Sequence, residues 1–82
     1  MTDQQTFEEV KSVIKESFPK AKGEITPDTR FPDLFGWDSV SHVTMMLDME
    51  DRFGVTIEET KVFEIADVAT LLKVIAEKKA AG

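Results

Sequence analysis

The chain has 82 residues, so residues 1–82 can form one domain with a modest core, too small for most active-site clefts. It has no cysteine, no apolar run near the roughly 20 residues that span a bilayer and no signal-peptide pattern, so we expect a soluble cytoplasmic protein. Residues 24–67 carry a net charge of −8, which repels nucleic acid and anionic lipid and attracts basic protein surfaces. The alternative is that these acidic residues only keep a small domain soluble.

The first predicted helix has one apolar stripe. Its members recur at three- and four-residue steps, and they are Phe7, Val10, Val13, Ile14 and Phe18. Two capping boxes are available at its start, Thr2 with Gln5 or Thr6 with Glu9. Pro19 marks its end.

The segment of residues 19–38 shows no helical period and is interrupted by proline and glycine. A loop of this length is unusual in a compact domain and tends to be functional. We expect it to cross the helices and to pack on them through its apolar side chains. These are Ile25, Phe31, Leu34 and Phe35.

A second helix is predicted to begin at Asp38 or Ser39, either of which can cap it, and to run to about Phe53. Gly54 is expected to adopt the left-handed conformation just past its end.

The rest of the chain predicts an extended connector at residues 55–57, a single helical turn at 59–64 and a last helix capped by Asp67. Lys78 and Lys79 suit the negative end of the last helix dipole. The apolar stripe of this helix is Val68, Leu71, Leu72 and Ile75. Together the elements predict an all-α four-helix bundle with three main helices, one short helix and a long loop between the first and second helices.

The second helix has more apolar surface than one core stripe needs. The residues that suit a face turned to the core are Met45, Met46, Met49 and Phe53. A neighbouring face carries Ser39, Val43 and Leu47 at steps of four, and acidic residues follow at Asp48, Glu50 and Asp51. An apolar strip with an acidic rim suits transient docking of a basic, apolar partner. The alternative is that all of these apolar residues belong to the core.

Residues 36–57, GWDSVSHVTMMLDMEDRFGVTI, resemble the signature of acyl and peptidyl carrier proteins. That signature is Gly-x-Asp-Ser-Leu, followed by an amphipathic helix that ends near an aromatic residue and by an extended connector. The resemblance covers about residues 5–77. A bare Asp-Ser-hydrophobic triplet is common by chance, but its position at a loop-to-helix boundary in an acidic helical chain makes it specific.

The resemblance implies that a phosphopantetheinyl transferase attaches 4′-phosphopantetheine from coenzyme A to Ser39, and that Asp38 helps to present the site. The thiol of this arm would hold an acyl or aminoacyl thioester, so the chain would be a carrier and not an enzyme. The alternative is that Ser39 is an ordinary helix cap. The residues expected to dock partners are Val40, Val43, Leu47, Glu50 and Asp51.

The implied partners are that transferase, an acyl- or aminoacyl-loading enzyme and a downstream acyltransferase or synthase. We expect a monomer that neither binds nucleic acid nor inserts into a membrane. The same scaffold serves long fatty acyl, short acyl, polyketide and amino acid cargo. We expect the methionines to line the core, where a sequestered acyl chain could also enter.

The sequence departs from well-known fatty-acid carriers near the serine. Val40 replaces the usual leucine, and Ser41 and Thr44 stand where those carriers bear acids. Only Glu50 and Asp51 match later acidic positions. Arg52 reduces the charge of this helix further. These departures argue against a role with the general fatty-acid synthase.

Trp37 and His42 complete a Trp-Asp-Ser-x-x-His sequence that resembles free-standing carriers of secondary-metabolite, surface-polysaccharide or amino-acid-loading pathways. We expect Trp37 to anchor the loop on the bundle. His42 is the only histidine, and we expect it at the surface with a minor docking role. A catalytic pair of Ser39 and His42 would lack room for an oxyanion hole or an orienting acid.

The acidic residues after Leu47 do not have the spacing of a calcium loop, and one histidine with scattered carboxylates provides no transition-metal site. Two other functions stay open at this point. One is a small acidic helical interaction module that is never modified, and the other is a hydrolase that uses Ser39 and His42.

Overall fold

The computed structural model describes residues 3–81, which form an all-α bundle. The four α-helices of this part of the chain are α1 (Asp3–Ser17), α2 (Ser39–Phe53), α3 (Glu59–Val62) and α4 (Val68–Ala81). A 3₁₀ turn, Phe31–Asp33, lies in the long segment between α1 and α2. The predicted fold class is therefore confirmed. Across residues 3–81, no helix combines the length and the apolar character needed to cross a bilayer.

The bundle is organised around α1 and α2, because α1 packs against both α2 and α4, and α3 packs against α2. The core side chains of α2 are the predicted Met45, Met46, Met49 and Phe53, all at most 4% exposed. They meet the buried stripe of α1 (Val10, Val13, Ile14 and Phe18) and Val68, Leu71 and Ile75 from α4. Leu72 and Phe7 are half-buried at the edge of this core.

Both ends of α2 have the predicted capping residues. The Asp38 carboxylate accepts a hydrogen bond of 2.7 Å from the Ser41 backbone N–H. Gly54 has φ +64°, and its N–H donates to the Glu50 carbonyl. This left-handed conformation is open to glycine at little cost, so the sequence defines where α2 stops.

The long loop is tied to the chain that leads into α4. The Phe31 N–H donates to the Ala66 carbonyl at 2.8 Å, and the Val68 N–H donates to the Thr29 carbonyl at 3.0 Å. Asp67 caps α4 as predicted, since its carboxylate accepts from the Thr70 N–H at 2.7 Å. These bonds hold the loop across the bundle and place its C-terminal end at the start of α2.

Two predictions about the first half of the chain are wrong. Phe35 is 70% exposed, because a tight turn closed by the Trp37 N–H and the Leu34 carbonyl (3.0 Å) leaves Leu34 half-buried and Phe35 at the outer corner. Thr6 does not begin a capping box, because α1 already starts at Asp3. The alternative capping residue, Thr2, lies outside the described residues.

Arg52 also makes contacts between helices that the sequence did not predict. Its guanidinium contacts Glu9 at 3.1 Å and Glu16 at 2.8 Å, both on α1. The hydrogen bonds that Arg52 donates to Glu9 and to Glu16 raise the pKa of Arg52 above its ordinary value. Arg52 therefore ties α2 to α1 and is paired on the opposite side of α2 from Val43 and Leu47.

Candidate functional site

Ser39 is the first residue of α2 and is exposed to solvent. The preceding Asp38 has extended backbone geometry, and its carbonyl accepts the first helical bond from the His42 N–H at 2.9 Å. The hydrogen bond from the Ser41 N–H lowers the pKa of Asp38 from its ordinary value of 3.8. The Ser39 hydroxyl thus lies at a capped helix N-terminus, the positive end of a 15-residue helix dipole.

An exposed apolar strip, defined as Val40, Val43 and Leu47, runs along α2 beside Ser39. These three side chains are 76%, 38% and 59% exposed, respectively. At about 100° per residue they lie within about 60° of one another around the helix axis. The exposure of Val43 and Leu47 confirms the predicted apolar face beside Ser39 and contradicts the alternative that all apolar residues of α2 belong to the core.

Acidic side chains border the far end of the apolar strip. Glu50 is half-buried and Asp51 is exposed, and both lie within about one residue's rotation of Leu47 around α2. Nearer the serine, the positions beside the strip are the neutral Ser41 and Thr44. Asp38 directly precedes Ser39, but within α2 the first acidic side chain after the serine is Asp48, about 2.5 turns further along, so the first two turns of α2 are without negative charge.

His42 is buried, which corrects its prediction as a surface histidine. It is 1% exposed, and it lies on the same face of α2 as Met45, Met46 and Met49. Its Nδ1 is 3.0 Å from the Trp37 indole nitrogen, and its Nε2 is 2.8 Å from the Val62 carbonyl oxygen.

These contacts leave neither ring nitrogen of His42 for the Ser39 hydroxyl, so the structure contradicts the predicted alternative of a hydrolytic Ser39–His42 pair. Trp37 is half-buried against the core, and its indole binds His42. The prediction that Trp37 anchors the loop is confirmed.

The chemistry of these residues fits a phosphodiester-linked arm. An exposed primary hydroxyl is a suitable point of attachment, and a helix N-terminus favours the negative charge of a phosphodiester. The neighbouring apolar strip exposes side chains that a partner handling the arm can contact.

Comparison with known proteins places these features in a family. The family model described as "Phosphopantetheine attachment site" matches residues 8–75. An acyl carrier protein of Exiguobacterium sp. is 33% identical over 78 residues, which cover 95% of this chain and 99% of that relative. One of Petrotoga mobilis is also 33% identical over 78 residues, covering 95% of this chain and 92% of the relative. The chain belongs to the acyl carrier protein family.

Solved structures show the same fold. The crystal structure of the acyl carrier protein of Thermotoga maritima has a TM-score of 0.80 at 20% identity and covers 96% of this chain and 92% of that chain. The solution structure of holo acyl carrier protein from Geobacter metallireducens has a TM-score of 0.78 at 20% identity, covering 93% and 87%. A hexanoyl carrier from the actinorhodin polyketide synthase of Streptomyces coelicolor has a TM-score of 0.78 at 24% identity, covering 92% and 91%.

Membership of this family settles the general role. The chain is a carrier and not an enzyme, and it carries acyl groups on covalently attached 4′-phosphopantetheine. Its partners are transferases and synthases, which supply the catalytic groups. The cofactor supplies the thiol that this cysteine-free chain lacks.

The sequence did contain a signal for the buried histidine. His42 precedes Met45 and Met46 by three and four residues, so it continues their stripe towards the N-terminus of α2. Its partner Val62, however, is 20 residues away in sequence. The stripe could have located His42 in the core, but the contact with α3 could not be read from local spacing.

Proposed function

We propose that Ser39 is the residue that carries the phosphopantetheine arm. Its exposure at the capped start of α2, beside the apolar strip, is the observation that supports this assignment most strongly. In the modification, the Ser39 oxygen forms a bond to the phosphorus that bears pantetheine, and the pyrophosphate bond of coenzyme A breaks. Adenosine 3′,5′-bisphosphate leaves, and the hydroxyl proton passes to a base of the transferase.

The attachment residue can be identified by peptide mapping after incubation with coenzyme A and a broad-specificity phosphopantetheinyl transferase. Trypsin releases residues 31–52 as one peptide, because no lysine or arginine lies between Arg30 and Arg52. Its hydroxyl side chains are Ser39, Ser41 and Thr44. Fragmentation should place the added group on Ser39, and its location on Ser41 or Thr44 would contradict the assignment. An unmodified protein would favour the interaction module instead.

The apolar strip and its acidic end are proposed as the docking surface for the transferase, a loading enzyme and a downstream acyltransferase or synthase. Val40, Val43 and Leu47 supply apolar area, and Glu50 and Asp51 attract a basic rim on the partner. Asp38 presents Ser39 by holding the first turn of α2 through its bond with the Ser41 N–H. We propose that the protein acts as a cytoplasmic monomer.

The proposed pathway is specialised, in lipid, polysaccharide or secondary-metabolite synthesis. The support is electrostatic, since Ser41 and Thr44 leave the first two turns of α2 after Ser39 without acidic side chains. Partners that read negative charge there gain no attraction from this carrier. The acyl or aminoacyl cargo is then selected by a dedicated loading enzyme.

The pathway proposal is tested by giving the holo-protein to general fatty-acid elongation enzymes. We expect poor turnover, improved by Thr44→Glu, which adds a charge beside the strip. Thr56→Glu, an equivalent change at an exposed threonine outside α2, serves as the control. Efficient elongation of the unchanged holo-protein, with no loading by a pathway-specific enzyme, would refute a specialised role.

A further inference from the structure

A cluster of aromatic and polar groups lies directly beneath the start of α2, and we call Trp37, His42, Val62 and Phe63 the His42 node. The His42 ring is stacked on Phe63 with a centroid distance of 5.3 Å and an interplanar angle of 17°. The Trp37 ring meets it edge-on at 5.7 Å. Phe31, in the 3₁₀ turn of the loop, meets the His42 ring edge-on, also at 5.7 Å. The ring of this α2 residue is therefore held by residues from the loop and from the end of α3.

The hydrogen bonds of the node define the proton position on His42. An indole nitrogen can only donate, so Nδ1 of His42 must accept from Trp37 (3.0 Å). A carbonyl oxygen can only accept, so Nε2 must donate to Val62 (2.8 Å). Both conditions are met by the neutral imidazole with its proton on Nε2. No other natural side chain combines a flat ring with an acceptor and a donor on opposite edges in this way.

The two hydrogen bonds connect His42 to the residues before Ser39 and to the end of α3. Trp37 lies two residues before Ser39, and His42 lies three residues after it, so their bond closes a short bridge across the attachment position. Val62 is the last residue of α3, where a helix carbonyl has no partner within its own helix. His42 thus joins the two sides of the Ser39 turn to each other and to α3.

We propose that His42 is a positioning residue, which sets the orientation of the Ser39 turn for group transfer by fixing Trp37 on one side and α3 on the other. The inference rests on Ser39 being the attachment site. His42 is buried and contacts no partner itself, so it acts through the backbone of residues 37–42. A misplaced nucleophile lowers the rate of the chemical step, whereas the exposed apolar strip still binds the transferase. Loss of the node therefore lowers kcat more than it raises KM.

The test uses steady-state phosphopantetheinylation of the full-length apo-protein with coenzyme A. His42→Phe keeps a ring for stacking but removes both hydrogen bonds, and Trp37→Phe removes only the indole donor. We expect each to lower kcat about tenfold or more with less than a threefold change in KM. The double variant should be no slower than the slower single variant, because both changes break the same bond. Phe35→Leu, in the same loop but outside the node, is the control.

A second readout does not depend on activity. Trp37 is the only tryptophan and His42 the only histidine, so the one indole nitrogen and the two imidazole nitrogens can be assigned in NMR spectra without ambiguity about the residue. We expect the nitrogen shifts of the Nε2–H tautomer and an indole N–H that exchanges slowly. In Trp37→Phe, His42 should keep its proton on Nε2, because its bond to the Val62 carbonyl is unchanged. If His42→Phe fails to fold, Trp37→Phe alone still tests the kinetic prediction.

The possible failures are distinguishable. If the unchanged protein gains no phosphopantetheine, the proposed function fails. If it is modified and both single variants match it in kcat, or their effects on kcat add, the positioning role fails while the carrier function stands. A histidine in the Nδ1–H tautomer would overturn the hydrogen-bond assignment. His42→Gln, which can both accept and donate, should restore part of the rate lost in His42→Phe.

Discussion

Replacement of Leu47 by glutamine tests the proposed docking surface with little disturbance of the fold. Leu47 lies two helical turns beyond Ser39 on α2, about 12 Å along the axis, so it cannot touch the reacting hydroxyl. Glutamine has a helix propensity close to that of leucine, and the position is exposed. The change therefore removes apolar contact area while leaving the helix intact.

The magnitude follows from the exposure of the side chain. Full burial of a leucine contributes about 1.5–3 kcal/mol. Since 59% of Leu47 is exposed in the free protein, a partner that covers this exposed part gains about 1–2 kcal/mol from it. Loss of that contact raises KM by about 5- to 30-fold. Leu47 contributes the same binding free energy in the ground state and in the transition state, so kcat should not change.

The assay is the steady-state rate of phosphopantetheine transfer to the apo-protein over a range of carrier concentrations. Ala76→Gln is the matched control, an apolar-to-polar change at an exposed position of α4. We expect a raised KM for Leu47→Gln alone and the same thermal midpoint for both variants. An unchanged KM for Leu47→Gln, or an equal rise for Ala76→Gln, would refute the docking assignment.

Three further predictions concern the frame that holds the site. Gly54→Ala places a side chain at φ +64° and should lower the free energy of unfolding by about 1–2 kcal/mol in urea titrations. Met46→Ala, at a 1% exposed core position, should lower it by about 2–5 kcal/mol. The lowered pKa of Asp38 means that its stabilisation is present above its ordinary pKa of 3.8 and is lost as pH falls through the lower folded value. The asparagine of Asp38→Asn can still accept a hydrogen bond but does not titrate. The free energy of unfolding of this variant should therefore fall less steeply than that of the unchanged protein as the pH drops below 3.8.

Each of these predictions has a clear contrary result. An unchanged unfolding midpoint for Gly54→Ala would mean that the end of α2 is not held by its left-handed residue. The same result for Met46→Ala would contradict its place in the core. If Asp38→Asn loses stability with acid as steeply as the unchanged protein, the titration of the α2 cap does not contribute.

Local pattern was sufficient to predict the bounds of α2, its methionine core face and the exposure of Val43 and Leu47. The offsets of the methionines defined the core face, and the same periodicity left Val43 and Leu47 exposed. Asp38 and Gly54 defined the ends, because each has a local physical role that depends on the neighbouring backbone. The attachment serine was recognised from a family signature, since its chemistry alone matches an ordinary helix cap.

Long-range contacts explain what the sequence did not predict. His42 was expected at the surface because residues three apart can share a helix face, which would place it beside the exposed Ser39. Its burial depends instead on Val62, 20 residues further along the chain. The pairing of Arg52 with carboxylates 36 and 43 residues away on α1 was not predicted either. The exposure of Phe35 follows from the tight turn before α2. None of these partners is a neighbour within one helix.

The most direct test of the carrier role at Ser39 is intact mass spectrometry of the protein after incubation with coenzyme A and a phosphopantetheinyl transferase. Ser39→Ala removes the proposed attachment oxygen, and Ser41→Ala is the matched control in the same helical turn. We predict a gain of one phosphopantetheine unit in the unchanged protein and in Ser41→Ala, and none in Ser39→Ala. A gain that persists in Ser39→Ala, or no gain in any of the three with several transferases, would contradict the assignment.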